Sequence, residues 1–99
     1  MSEYIYLIHP LRYEFFENPT PEENACMQEH FLYLKHAAED GRLILAGPCL
    51  DDSFGLVVFR AEDDRMANAF MHSDPAVRAN VMMAELHPFR LSLFGKPNP

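Results

Sequence analysis

The chain is 99 residues long, the size of one domain, and 48% of it is hydrophobic, enough to build a packed core. Its formal charge of −7, with eight Lys and Arg scattered along the sequence, argues against a nucleic-acid backbone or an anionic membrane as partner. No stretch approaches the roughly 18 apolar residues of a membrane span, and "MSEYIYLIHP" lacks the basic start and long apolar run of a secretory signal, so a cytoplasmic protein is expected.

The first element is "YIYLIH" (Tyr4 to His9), an aromatic and β-branched run closed by Pro10 that predicts a strand. The Pro-flanked segment after it is a loop carrying Tyr13, Phe15 and Phe16, apolar enough to fold over something. Thr20-Pro21-Glu22-Glu23 then predicts a helix start, with Thr20 as cap, Pro21 at the first position and Glu23 closing a capping box. That helix runs to about Asp40, where Gly41 supplies a stop. At 100° per residue Met27, Phe31, Leu34 and Ala38 form its apolar stripe, with His30 beside it among Cys26, Tyr33 and Ala37. "RLILAG" (Arg42 to Gly47) and "FGLVVFRA" (Phe54 to Ala61) predict two strands joined by the hairpin-type connection "PCLDDS". "EDDRMANAFMHSD" predicts a second helix with Met66, Ala67 and Phe70 as its apolar face, broken at Asp74-Pro75. "PAVRANVM" predicts one or two further helical turns. "ELHPFRLSLF" predicts the last strand, with His87, Phe89, Leu91 and Leu93 on one face. The tail "GKPNP" carries no element signal and is expected to be loose.

The order β-α-β-β-α-β predicts a single α+β domain over residues 1–99, with a ferredoxin-like antiparallel sheet and two helices on one face. The first and third strands are apolar on both faces, and two helices cover only one. A homodimer with two sheets face to face is therefore expected.

The stretch "EHFLYLKHAAEDGRLILAGPCLDDSFGLVVFRAED", followed by "SDPAVRANVMMAELHPF", resembles the YciI-like (YCII-related) family of small dimeric α+β barrel proteins. The signals are a His in the first helix, Gly-Arg-Leu, Ala-Gly-Pro (Ala46 to Pro48), Ser-Asp-Pro (Ser73 to Pro75) and a final Pro-Phe strand (Pro88, Phe89), in that order over nearly the whole chain. The resemblance implies a face-to-face dimer and a cleft between helices and sheet holding a His–Asp pair. Carried over, the catalytic pair is His30 and Asp74, with Gly47 and Pro48 shaping the cleft. One branch of the family resembles dehydrochlorinases acting on chlorinated hydroxyquinols, and relatives with the same barrel include muconolactone isomerases.

Each candidate has an ordinary reading beside the functional one. An imidazole can take and return a proton near neutral pH, so His30 suits a general base; the alternative is a helix-edge residue bonded to a backbone carbonyl. Asp74 can orient that ring, or simply cap the turn "PAVR". Arg12 and Tyr13, just past Pro10, are candidates to hold an anionic or phenolic ligand, or are solvated loop residues. His9 and His87 are strand-end or packing residues if they do not line the cleft, and His36 and His72 fall on polar helix faces. The methionines Met66, Met71, Met82 and Met83 are expected as core or interface filler. Neither HxH, HxxxH nor HExxH occurs, and Cys26 and Cys49 are too few and too far apart for a zinc knuckle or CxxC pair, so no metal or cofactor is expected and both thiols are free. Two functions follow: a small cofactor-independent enzyme using a His–Asp pair for proton transfer on a small, aromatic or lactone, substrate, or a non-catalytic dimer that binds a small molecule or assists other enzymes.

Overall fold

The computed structural model describes residues 1–96; the last three residues of the expected loose tail lie outside the described residues. Seven elements follow in order: β1 (Ser2–Pro10), α1 (Pro21–Glu39), β2 (Leu43–Pro48), β3 (Gly55–Ala61), α2 (Asp64–Ser73), α3 (Pro75–Arg78) and β4 (Met82–Phe89). All strand pairings are antiparallel and the sheet order is β2-β3-β1-β4, the ferredoxin-like arrangement expected from the element order.

Local chemistry explains the boundaries. Thr20 caps α1 with its side chain on the Glu23 N–H, and Glu23 reaches back to the Thr20 N–H, so both halves of the capping box form. Gly41 ends the helix at φ +87°, a left-handed conformation that costs glycine nothing. Asp63 caps α2 on the Met66 N–H. The final strand departs from the sequence reading. It starts at Met82 and stops at Phe89, so Leu93 and Phe94 are exposed beyond it rather than packed on a sheet face. Pro88 sits inside β4 because β4 is an edge strand, where a missing N–H leaves no ladder bond unmade.

Strand register divides the sheet cleanly. Tyr4, Tyr6 and Ile8 of β1 lie opposite Phe59, Val57 and Gly55 of β3, and these side chains face the helices. Phe59, fully buried, sits at the centre, with the rings of Tyr6 at 5.7 Å and Phe70 at 4.6 Å. Fully buried Ala37, Ala67 and Ala76 let the three helices approach this layer closely. Met66 is half exposed, so the apolar face of α2 is Ala67, Phe70 and Met71 instead. On the helix-free face, Ile5 and Leu7 pair with Val58 and Leu56, flanked by exposed Leu45, Met83 and Phe89.

Helix α1 also departs from the expected stripe. Its side chains into the core are Cys26, Tyr33, Leu34 and Ala37, while Phe31 is 66% exposed and Ala38 is exposed. The helix has two apolar faces, and His30 lies between them.

Candidate active site

One apolar face of α1 covers the core and the other lines a cavity. Met27, Phe31, Leu34 and Ala38, the stripe read from the sequence, form one wall of a hollow of about 550 Å³. The opposite wall is the end of β2, with Ala46, Gly47 and Pro48, followed by Phe54 at the entry to β3. Phe15 and Phe16 close a third side from the loop between β1 and α1, their rings edge-to-face at 5.1 Å. A hollow of this size and apolar lining suits one small ring compound. Its polar side chains are few: His30, Lys35, Cys49 and Asp52.

His30 is where cavity and core meet. Its Nδ1 lies 2.8 Å from both carboxylate oxygens of Asp74, which is fully buried at the α2–α3 junction. Asp74 holds its place for local reasons. Its N–H bonds the Met71 carbonyl at the end of α2, and its Oδ1 accepts the Ala76 N–H at 2.9 Å to cap α3. Pro75 supplies the first residue of α3, where a missing N–H costs nothing. The Cys26 thiol of α1 donates to the Pro75 carbonyl at 3.3 Å, tying α1 to this corner. Capping and pairing with His30 are thus one arrangement rather than alternatives.

A further partner was not read from the sequence. Tyr6 of β1, fully buried, donates its hydroxyl to Asp74 Oδ2 at 2.7 Å. The sequence held a usable signal: alternation puts Tyr6 on the same buried face as Tyr4 and Ile8, and a buried phenol needs a hydrogen-bond partner. Burial, with the Asp74 charge beside it, pushes the Tyr6 phenol far above its ordinary range, so it stays a donor.

These contacts fix the proton on His30. The Ala76 N–H donates to Oδ1 of Asp74 and the Tyr6 O–H to Oδ2, so both carboxylate oxygens are acceptors. The ring nitrogen facing it must then carry a proton. In the neutral ring Nε2 is left with a free lone pair, and no group among the described residues bonds it. The result is an imidazole of fixed orientation at the wall of a mostly apolar hollow.

The other candidates separate. Gly47 and Pro48 line the cavity. Arg12 and Tyr13, expected at the ligand, do not. Arg12 makes a two-pronged contact with Glu23 (Nε to Oε2 2.9 Å, Nη2 to Oε1 2.7 Å), and Tyr13 is 96% exposed. A guanidinium facing a largely buried carboxylate is held there, so Arg12 pins the loop that carries Phe15 and Phe16. His9 and His87 are exposed on β1 and β4 outside the cavity, with His87 against Glu85 at 2.7 Å. His36 and His72 are exposed. Both cysteines are free, and no group of three or more His, Cys, Asp or Glu is arranged for a metal among the described residues.

Comparison with known proteins agrees with the layout. Residues 4–90 match the YCII-related domain. The chain belongs to that family. No curated protein matches it significantly. Among solved structures the YCII-related chain is similar to 5-chloro-2-hydroxyhydroquinone dehydrochlorinase from Burkholderia phenoliruptrix, in complex with 2,5-dihydroxybenzoquinone. The TM-score is 0.65 and the identity 14%, covering 88% of this chain and 93% of the other. At that identity the likeness establishes a shared fold. No described helix is long and apolar enough to cross a membrane.

Proposed function

We propose that this YCII-related chain is a small enzyme that moves a proton on a small ring substrate, aromatic or lactone, with His30 as general base. The observation that carries this reading is His30 itself: Nδ1 is locked onto a fully buried carboxylate while the ring lines an apolar hollow of about 550 Å³. A base held in one tautomer abstracts a proton; returning it to another atom of the substrate gives isomerisation, and passing it to solvent while a leaving group departs with its bonding electron pair gives elimination. Asp74 orients the ring and stabilises the imidazolium formed in the reaction. Phe15, Phe16, Phe31 and Phe54 line the hollow, an aromatic lining that suits a flat substrate. The structural neighbour's quinone complex, on the same fold, supports a hydroxylated aromatic as the first class to test.

We also propose that the protein works as a homodimer. The apolar residues Ile5, Leu7, Leu56 and Val58 form the middle of a sheet face that no helix covers. A second copy of the same face is self-complementary under two-fold symmetry.

The test is a thermal-shift screen of hydroxylated aromatics, hydroxyquinones such as 2,5-dihydroxybenzoquinone, and lactones, followed by turnover assays on the hits. Wild type is expected to bind and convert a compound that His30→Ala binds without converting. Conversion by His30→Ala at the wild-type rate would end the proposal. Binding without turnover by either protein would favour a ligand-binding role.

A further inference from the structure

Tyr6 is buried behind the His–Asp pair, away from the cavity, and its hydroxyl is not needed for packing. Its ring already fills the core, edge-on to Phe59 at 5.7 Å and to Phe70 at 6.2 Å. A phenylalanine would make the same contacts. What the hydroxyl adds is one bond, 2.7 Å to Asp74 Oδ2, across 68 residues of sequence.

That oxygen is shared. Oδ2 also lies 2.8 Å from His30 Nδ1, while Oδ1 takes both Nδ1 and the Ala76 N–H. A fully buried carboxylate has no water to spread its charge, so its donors divide that charge among themselves. Each donor that draws charge away leaves less for the imidazolium.

We propose that Tyr6 is a positioning residue that sets how strongly Asp74 holds the proton on His30, a role that rests on the proton-transfer reading above. With the phenol in place the carboxylate fixes the tautomer but its pull on the charged ring is moderated. The ring therefore gives up its proton more readily than it would beside an unshared carboxylate. Without the phenol, Asp74 concentrates its charge on the Nδ1–H and holds the imidazolium more tightly.

The other groups facing this corner do not compete. From α1 come Cys26, whose thiol is pushed up chiefly by burial, and Tyr33, whose phenol burial pushes up to about 12 and whose hydroxyl is committed to the Phe70 carbonyl at 2.7 Å. Glu29 and Arg78 act on the Cys26 thiol, and Arg42 and Arg78 on the Tyr33 phenol, only through charge. Lys35, Cys49 and Asp52 stand on the cavity wall. The Cys26 thiol and the Tyr33 phenol, both pushed up, stay protonated through the range in which an imidazole titrates.

The experiment follows the His30 imidazole by NMR during a pH titration of the full-length protein, in wild type and Tyr6→Phe. Tyr6→Phe is expected to move the midpoint upward by about one pH unit, since a hydrogen bond to a charged group carries roughly the free energy of one unit. A second protein keeps the ring and changes only the donor: a fluorinated tyrosine placed at position 6 has a more acidic, stronger-donating hydroxyl and is expected to move the midpoint downward. A midpoint that stays put or moves the wrong way in either protein overturns the role of Tyr6. The titration needs no substrate, so that failure leaves the proton-transfer reading untouched. Conversely, shifts in the expected directions from a protein that turns over nothing would count against the reaction alone.

Discussion

Asp74→Asn changes one oxygen to nitrogen, yet the structure makes it a severe substitution. Three donors converge on the carboxylate: the Tyr6 O–H, the His30 Nδ1–H and the Ala76 N–H. An amide offers one oxygen, which serves either the Ala76 or the Tyr6 side, and its NH₂ must then face a group that was a donor. His30 can adapt by moving its proton to Nε2 and accepting at Nδ1, which turns Nε2 from acceptor into donor. Tyr6 adapts less well, because its buried proton has no second acceptor among the described residues. Losing one hydrogen bond to a charged group and stranding one buried donor costs about 2–4 kcal/mol. In a chain of this length that lowers Tm by about 10–20 °C. Urea unfolding gives the stability, and nitrogen-resolved NMR of the imidazole gives the tautomer. Destabilisation under about 0.5 kcal/mol, the range of an inconsequential surface change, together with a proton still on Nδ1, would refute the reasoning.

Gly47 lines the cavity, and a Cβ built there meets nothing within 4 Å; Gly47→Leu is expected to block ligand binding in calorimetry while unfolding at nearly the wild-type urea concentration. The Arg12 guanidinium and the Thr20 N–H hold the Glu23 carboxyl down at about 2 against an ordinary 4.5. Its contribution to stability is therefore full above about pH 4.5 and lost as pH falls toward about 2, so Glu23→Gln should flatten the acid side of a stability–pH curve measured in urea. Leu7→Asp on the helix-free sheet face should give a monomer by light scattering, and a wild type already monomeric at micromolar concentration would contradict the proposed dimer.

Much of the layout was legible in the sequence because it rests on local chemistry. Thr20, Pro21 and Glu23 specify a helix start whatever surrounds them, and Gly41 specifies its end. Alternation in β1 and β3 was enough to show two apolar faces. What failed depends on tertiary context. The stripe Met27, Phe31, Leu34 and Ala38 is apolar as read, but periodicity cannot distinguish a side chain that meets the core from one that meets a hollow, and all four line the hollow, with Leu34 meeting the core as well. Arg12 looked available because nothing in sequence shows Glu23 folding back to meet it across 11 residues. The last strand was read too late because "VMMAELHPF" follows helical residues without a turn signal; the break is Asn80, at φ 58°, a left-handed position an asparagine tolerates. Tyr6 was the quiet omission, a core aromatic whose hydroxyl reaches a residue 68 positions away.

The central claim is that His30 presents a free base to whatever occupies the cavity. It is tested most directly by solvent-proton exchange: a hydroxylated aromatic or lactone shown to bind is placed in deuterated buffer, and deuterium entering its acidic C–H position is followed by NMR. Wild type is expected to accelerate exchange over His30→Ala by at least about 100-fold, the low end of general-base catalysis. Equal exchange rates in the two proteins, with the compound bound in both, would contradict the claim.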